Sequence, residues 1–411
     1  MTMKFYVIAV AVLGCLYSLI LNVVRYRSAN NPTPANVSDV YDADSYQTWK
    51  KYSAEHCRLS IGATLATCVA TVILLLTDAY AAFASLFPLT AFWQLFAVVL
   101  LEVAVATVIE VVEKYISTMV IEEKYGFNRS TMKTFVFDRI RGCLLSMVLS
   151  LGLVLLMWVF HKNLGDWLIV VFTAAIFCIT LAISFLYPIF SRIGNKFVPL
   201  EEGELKDQLM ALLTKHGYEV KAIEVMDASR RTTKLNAYFT GFGKMKSIVL
   251  YDNLVEKMST EEICAVFAHE LGHGLHKDVL KMQIMNVGNL LLMAVVVWLA
   301  VREPRLYTAF GFDAVNYGFA YILVGFGLGL VQPLTALASN AFSRAAEYRA
   351  DRQAIEEGYG RPMVSALKKL AKDNFAHLSP SPINVVLEYS HPPLSERIEA
   401  IEGLLAGNGE N

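Results

Sequence analysis

Long apolar runs alternate with charged stretches along the chain, and seven of the runs are long enough to cross a membrane. A helix needs roughly 20 residues to span about 30 Å of hydrocarbon. The runs lie at residues 5–24, 59–77, 89–112, 142–160, 167–190, 283–301 and 316–338. The pattern therefore predicts four segments: 1–190 with five spans, 191–282 outside the membrane, 283–340 with two spans, and a polar end, 341–411.

Lysine and arginine are concentrated in the odd-numbered loops between the predicted spans. The loop after the first span contains Arg25, Arg27, Lys50, Lys51 and Arg58. The loop after the third span contains Lys114, Lys124, Arg129, Lys133, Arg139 and Arg141. The loop after the second span has no basic residue, and the loop after the fourth has only Lys162. Because basic residues favour the cytosolic side, we expect the amino terminus outside and residues 191–282 and 341–411 in the cytosol.

Composition agrees with a membrane protein and excludes two other classes. The 411 residues are 55% hydrophobic, and the mean hydropathy is +0.45. The net charge of −1 gives no basic field for nucleic acid. The cysteines show no C-x-x-C pair, which argues against a disulfide scaffold and a cysteine zinc site. They are Cys15, Cys57, Cys68, Cys143, Cys178 and Cys264.

The segment STEEICAVFAHELGHGLHKDVL predicts a helix with two histidines on one face. Ser259 and Glu262 have the spacing of a capping box at its start. His269 and His273, four residues apart, can hold one metal ion. Glu270 lies beside the fourth coordination position, where it can take a proton from bound water. This arrangement predicts a zinc peptidase whose third protein ligand lies elsewhere in the chain.

The segment SRAAEYRADRQAIEEGYG offers that third ligand. Glu347 and Asp351 are four residues apart on a helix that we expect to end at Gly358. Glu347 can complete a set of two histidines and one glutamate, and Asp351 can hydrogen-bond a ligand histidine. Spacing leaves an alternative equally open, namely a solvated helix face on which both carboxylates flank Arg344 and Arg349.

Three other features can be interpreted from the sequence. The segment KLNAYFTGFGKMKSIVLY predicts two short strands around a Gly-Lys turn, either an ordinary hairpin or an edge strand on which an extended peptide lies. His276 follows His273 by three residues, and we expect it to be solvated or to support a ligand. His391 stands directly before a helix, and a lone histidine in a loop is usually solvated.

Five motifs together resemble the type I CAAX prenyl endopeptidase family of integral-membrane zinc metalloproteases. They are VIEEKYGFNRST, LNAYFTGF, HELGH, EYRAD and SHPPLSERI, in this order. The resemblance implies a mainly α fold, in which a seven-transmembrane-helix barrel encloses a water-filled chamber. It also implies a cytosolic zinc metalloprotease domain containing a small β-sheet. Arg349 departs from the family pattern, which has an uncharged polar residue there.

The resemblance implies a zinc site with one Zn²⁺ per chain. His269, His273 and Glu347 would be the zinc ligands. Glu270 would be the general base that activates water. A hydrolytic site among membrane helices is then explained, because the helices of this family enclose water.

The resemblance also implies roles for three further residues. Asp351 matches a family aspartate described as orienting a ligand or donating a proton. Asn236 and His391 match residues that contact the substrate backbone and stabilise the oxyanion as charge develops. We list all three as candidate catalytic residues.

The implied substrates are prenylated or membrane-associated proteins at the lipid bilayer. Family members cleave near a C-terminal prenylated cysteine and remove the last three residues. An alternative is a quality-control protease that degrades unprenylated membrane proteins with the same chemistry. A third hypothesis is a non-enzymatic transporter or receptor whose histidines hold a structural metal. The endoplasmic reticulum membrane and a bacterial inner membrane both remain open as the location.

Overall fold

The structure, a computed structural model, describes residues 2–87, 90–190, 192, 195–218, 222–240 and 247–407. Helices dominate these residues. The helices of the first half are α1 Thr2–Ser28, α2 Ala43–Leu76, α3 Ala79–Ser85, α4 Ala91–Tyr115, α5 Met132–Leu164, α6 Leu168–Phe190 and α7 Glu204–Lys215. The remaining helices are α8 Asp252–Lys257, α9 Thr260–Leu275, α10 Asp278–Arg302, α11 Arg305–Thr308, α12 Tyr317–Glu356, α13 Gly360–Asp373, α14 Pro382–Glu388 and α15 Leu394–Gly407.

Six helical stretches in the described residues are long and apolar enough to cross a membrane, so the chain is a multi-pass membrane protein. They are Thr2–Ser28, Ala43–Leu76, Ala91–Glu122, Met132–Ile183, Asp278–Arg302 and Tyr317–Glu356. The count differs from the expected seven because the predicted span 142–160 and most of the predicted span 167–190 fall within the single stretch Met132–Ile183. A single 3-10 turn, Gly165–Trp167, joins α5 to α6 there.

Polar side chains of three spanning helices line a shared cavity. The cavity has a volume of 970 Å³ and lies between α1, α2 and α12. Thr64, Thr67 and Thr71 recur along one face of α2, and Gln332 and Asn340 contribute from α12. Polar residues of membrane helices usually turn toward the bundle interior, and these follow that rule.

A four-stranded sheet lies outside the spans, in the order β1-β2-β4-β3. Its strands are β1 Phe197–Pro199, β2 Ala222–Met226, β3 Ala237–Thr240 and β4 Ser247–Tyr251. The predicted pairing of β3 with β4 is confirmed, since the two strands run antiparallel with Ala237 opposite Leu250. The predicted Gly-Lys turn between them lies outside the described residues. Among the strands that the structure describes, β3 is at the edge of the sheet.

The helix α9 is packed on two sides. Its residues Ile263 and Phe267 belong to a core cluster with Leu250 of the sheet. On another side, Ala265 and Ala268 pack in a cluster with residues of α12, α13 and α15. Fully burying a side chain as large as isoleucine or phenylalanine stabilises the folded protein by about 1.5–3 kcal/mol. The helix that carries the H-E-x-x-H motif is therefore held firmly by its neighbours.

The start of α9 and the end of α12 agree with the sequence. The capping box is confirmed: the Ser259 side chain accepts from the backbone of Glu262, and the Glu262 carboxylate accepts from the backbone of Ser259. The helix α12 ends at Glu356, two residues before Gly358, whose φ of +86° suits a glycine. One helix of 40 residues thus runs from the last predicted span to the candidate ligand Glu347.

Candidate active site

The two motif histidines occupy adjacent turns of α9. Their ring centroids are 4.9 Å apart, with His269 buried and His273 half-buried. Between them, Gly272 lets α9 approach α12 closely, because a Cβ on Gly272 would lie 3.0 Å from the Cα of Ala350. This contact brings the histidines within reach of the acidic residues of α12.

Glu347 of α12 faces both histidines. Its carboxylate oxygens lie 3.4 Å from the Nε2 of His269 and 3.4 Å from the Nε2 of His273. The three side chains each offer a ligand atom, and these atoms all lie within 4.8 Å of one another. The three residues that the sequence nominated as metal ligands, from segments almost 80 positions apart, therefore form one cluster.

The geometry of this cluster fits a tetrahedrally coordinated metal. Zinc holds nitrogen and oxygen ligands at roughly 2.0–2.2 Å, which separates neighbouring ligand atoms by about 3.3 Å in a tetrahedron. The observed separations of 3.4 Å match that value and are long for hydrogen bonds. The Oε2 of Glu347 is buried and accepts no hydrogen bond, although the Nη1 of Arg397 lies 3.4 Å away, so a bound metal ion would satisfy this oxygen.

Buried charge around the cluster also favours a divalent cation. The buried carboxylates are those of Asp278, Glu347 and Asp351, and the buried cationic residue beside them is Arg397. Arg349 pairs with Asp278, and the half-buried Glu270 acts on Arg397, so four negative and two positive charges leave a net charge of −2, which a divalent cation would neutralise. Uncompensated buried charge is costly, so the residues present fit a metal such as zinc.

Asp351 is hydrogen-bonded to His269 through the ring nitrogen that does not face Glu347. Its Oδ1 lies 2.9 Å from the Nδ1 of His269, which leaves the Nε2 free to bind a metal. The alternative of a solvated face is wrong, because Glu347 and Asp351 are only 5% and 2% exposed. Burial disfavours the imidazolium, yet the hydrogen bond to Asp351 and the nearby carboxylate of Glu347 raise the pKa of His269 to about 9. The same negative charges stabilise a bound cation.

Arg397 is a site residue that the sequence reasoning missed. It donates to both oxygens of Asp351, at 2.8 and 2.6 Å, and its Nη1 lies 3.4 Å from the Oε2 of Glu347. Although burial opposes it, the carboxylates of Asp351, Glu347 and Glu270 raise the pKa of Arg397. A signal existed, since Arg397 shares one helix face with the buried Ile401 and Leu405 of α15, where a charge is unexpected.

Asp278 supports the second histidine and was also missed. Its Oδ2 lies 3.1 Å from the Nδ1 of His273, and its Oδ1 accepts from Arg349 at 2.9 Å. Arg349 therefore does not flank the acidic residues of α12 on a solvated face. Each candidate ligand histidine is therefore hydrogen-bonded by an aspartate, and each aspartate is paired with an arginine.

The remaining predicted residues lie at the cluster or near it. The Nε2 of His391 is 3.3 Å from the Oε1 of Glu347, and its side chain is 63% exposed, so it can meet a substrate. Glu270 is half-buried on α9 directly after His269. Asn236 is exposed at the start of the edge strand β3, which packs against α9. His276 caps the C-terminal end of α9 and is not one of the clustered residues.

Known proteins resemble this chain over both of its parts. Residues 199–405 match Peptidase family M48, and residues 4–192 match the CAAX prenyl protease N-terminal model of five membrane helices. The CAAX prenyl protease 1 homolog of Arabidopsis thaliana is 34% identical over 290 residues, or 70% of this chain and 68% of that protein. CAAX prenyl protease 1 of Saccharomyces cerevisiae is 34% identical over 322 residues, or 73% and 70%.

The fold is similar to that of a solved structure as well. The crystal structure of S. mikatae Ste24p matches with a TM-score of 0.90 and 26% identity, over 97% of this chain and 99% of that one. Membrane-spanning helices joined to a buried cluster of two histidines and a glutamate define an integral-membrane metalloendopeptidase. Within that class, the chain belongs to peptidase family M48 and to its type I CAAX prenyl proteases.

Proposed function

We propose that this metalloendopeptidase uses one zinc ion to cleave CAAX proteins near the prenylated cysteine, removing the last three residues. The observation that carries the proposal is the cluster of His269, His273 and Glu347 in a chain whose relatives are named CAAX prenyl proteases. Zinc is the metal favoured by two imidazoles and one carboxylate. When bound, it polarises a carbonyl and lowers the pKa of water.

Proton transfer falls to Glu270. It follows a candidate ligand histidine directly on α9, and its charge acts on Arg397 beside the cluster. In our proposal, Glu270 accepts a proton from the attacking water and passes it to the leaving amine. His391 donates a hydrogen bond to the substrate carbonyl oxygen as negative charge develops there.

Asp351 and Asn236 have positioning roles in this proposal. Asp351 fixes the ring of His269 through the 2.9 Å contact to its Nδ1. Asn236 directly precedes β3, whose outer side has no partner strand among the described strands. An extended peptide can therefore add to β3 by backbone hydrogen bonds, with the exposed Asn236 side chain contacting it.

The membrane part would bring substrate to the site through a hydrated interior. The 970 Å³ cavity with its threonine stripe supports a water-filled chamber. The match of residues 4–192 to five membrane helices supports seven spans in total, because α10 and α12 add two. The distribution of lysine and arginine supports an external amino terminus and a cytosolic site.

The test uses three matched peptides: farnesylated, unprenylated, and farnesylated with the last three residues removed. Purified wild-type protein should cleave the first at least about tenfold faster than the second, and leave the third intact. A Glu270→Gln variant should cleave none of them. Equal cleavage of the first two would refute prenyl selectivity and favour quality control. No cleavage of any peptide by zinc-loaded wild type would refute the proposal.

A further inference from the structure

The backbone that leads to His391 is tied down on one side by α12. We call residues 384–391 the His391 strap. Arg344 of α12 donates through its Nη1 to the carbonyl oxygens of Val385 and Tyr389, at 2.8 and 2.9 Å. Asn340, one turn earlier, donates to the carbonyl of Leu387 at 2.9 Å. Every second carbonyl oxygen from Val385 to Tyr389 therefore accepts a hydrogen bond from α12, the helix that also carries Glu347.

The other side of the strap is tied to the first membrane helix. Arg25 of α1 pairs with Glu388 at 2.6 Å, with side chains 34% and 25% exposed. Asn384 is 1% exposed, and it donates to the carbonyl of Leu21 at 3.1 Å. Arg25 and Glu388 both line the membrane cavity. The strap thus bridges α1 and α12, with Glu388 lining the cavity and His391 beside Glu347.

His391 depends on this strap for its position. Its side chain is 63% exposed, and its Nδ1 is hydrogen-bonded at 2.9 Å to Ser390, the residue beside it. Its Nε2 nevertheless lies 3.3 Å from the Oε1 of Glu347. A neighbouring serine cannot set the direction of the whole segment, so the backbone anchors must place the imidazole.

We infer that Arg344 is a positioning residue that acts through His391. The inference rests on the catalytic role proposed above for His391. Arg344 is suited to this work because one charged group holds carbonyls at both ends of the last turn of α14, where the helix dipole favours a cation. Since Arg344 shares α12 with Glu347, it fixes the imidazole relative to the metal ligands. The arginine therefore sets reaction geometry without touching the substrate.

A double-mutant cycle tests the inference in the full-length, zinc-loaded protein. Arg344→Gln should lower kcat about 10- to 100-fold with KM and zinc content nearly unchanged, because small misplacements of catalytic groups have effects of that size. His391→Ala should lower kcat by a similar or larger factor. In the His391→Ala background, Arg344→Gln should cost less than about twofold. An equal loss in both backgrounds, or an unchanged kcat for Arg344→Gln alone, would overturn the inference.

Two controls separate positioning from folding. Arg352→Gln replaces an exposed arginine of the same helix and should leave kcat and the melting temperature unchanged. Arg344→Lys, which keeps a cationic donor, should recover part of the activity. If Arg344→Gln does not fold, the charge-swapped pair Arg25→Glu with Glu388→Arg tests the other anchor, and each single change should lower kcat more than the pair does.

Hydrogen exchange gives a readout that does not need catalysis. Arg344→Gln should speed amide exchange in residues 384–391 while the amides of α9 exchange as in wild type. Unchanged exchange in the strap would refute the inference even in a protein that cleaves no peptide. Failure of wild type to cleave would instead refute the proposed function, so the two failures are distinguishable.

Discussion

At the residue scale, the two candidate metal-ligand histidines are each supported by a series of two further side chains. Asp351 and Arg397 stand behind His269, while Asp278 and Arg349 stand behind His273. In each series the aspartate accepts from the Nδ1 side of the ring, so the Nε2 points to the cluster. Such outer contacts orient metal ligands and raise their basicity. Replacing a side chain in either series should therefore lower the affinity for the metal more than it lowers the stability of the fold.

Asp278→Asn tests the second of these series. The amide cannot accept from His273 and Arg349 as a charged carboxylate does, so metal affinity should fall about 10- to 100-fold. Competition with a fluorescent zinc chelator measures this without any substrate. Asp313→Asn, at an exposed position, is the control and should not change the affinity. Equal affinities for Asp278→Asn and wild type would show that Asp278 is not a support.

Glu262 gives a stability prediction with a definite dependence on pH. Although burial opposes it, hydrogen bonds from Lys369, Ser365 and the Ser259 backbone lower the pKa of Glu262. Because the folded pKa is lowered, this stabilisation is present above the unfolded value of about 4.3 and is lost as pH falls through the folded pKa. Glu262→Gln should cost about 1–2 kcal/mol at pH 7.

The measurement is the melting temperature of the detergent-solubilised protein as a function of pH. The gap between wild type and Glu262→Gln should narrow as the pH approaches 4 and falls below it. Glu261→Gln changes an exposed glutamate in the same first turn and should show no gap at any pH. A gap that widens on acidification would contradict the assigned sign.

At the element scale, the site depends on how closely α9 approaches α12. Gly272 lies on α9 where the two helices meet, and a Cβ there would be 3.0 Å from both the Cα of Ala350 and the Cβ of Gln353. The neighbouring contact is with backbone, which cannot move aside as a side chain can. The glycine of the H-E-x-x-H motif therefore serves packing, and through packing it serves the distance from Glu347 to the histidines.

Gly272→Ala should separate the helices. We expect overpacking to outweigh the gain in helix propensity, with a net loss of about 1–2 kcal/mol and reduced zinc content. Gly274→Ala is the matched control, because the nearest atom to its Cβ is the movable hydroxyl of Tyr218. Melting temperature and zinc content of both variants decide the matter. A Gly272→Ala protein with wild-type values for both would contradict this account of the packing.

At the scale of the whole molecule, the number of membrane crossings decides whether the two termini lie on the same side of the membrane or on opposite sides. Seven crossings put the termini on opposite sides, whereas six put them on the same side. The five-helix match for residues 4–192, together with α10 and α12, favours seven. From the basic loops we propose that the carboxyl terminus and the candidate catalytic residues lie in the cytosol.

Epitope tags at the two termini test this topology. In intact cells or sealed spheroplasts, an impermeant antibody should reach the amino-terminal tag but not the carboxyl-terminal tag. After permeabilisation it should reach both. Accessibility of both tags, or of neither, before permeabilisation would contradict seven crossings.

Much of this molecule could be predicted from local patterns, and the remainder depended on how helices meet. Local patterns were sufficient to predict several long apolar helices and the capping box of Ser259 and Glu262, but they gave seven spans where the described residues contain six apolar helical stretches. Spacing nominated Glu347 but left a solvated face equally open, because burial depends on what packs against α12. Asp278 reaches back to His273 only because Lys277 turns the chain with a φ of +55°. The periodicity of apolar residues in a helix does not predict such a turn.

The most direct test of the account is zinc K-edge X-ray absorption on the purified wild-type protein, with metal analysis of Glu347→Ala. We predict about one zinc per chain, a first shell of nitrogen and oxygen at roughly 2.0–2.2 Å without sulfur, and loss of most zinc in Glu347→Ala. A sulfur shell near 2.3 Å, or full zinc content in Glu347→Ala, would contradict the assignment of His269, His273 and Glu347 as the metal ligands.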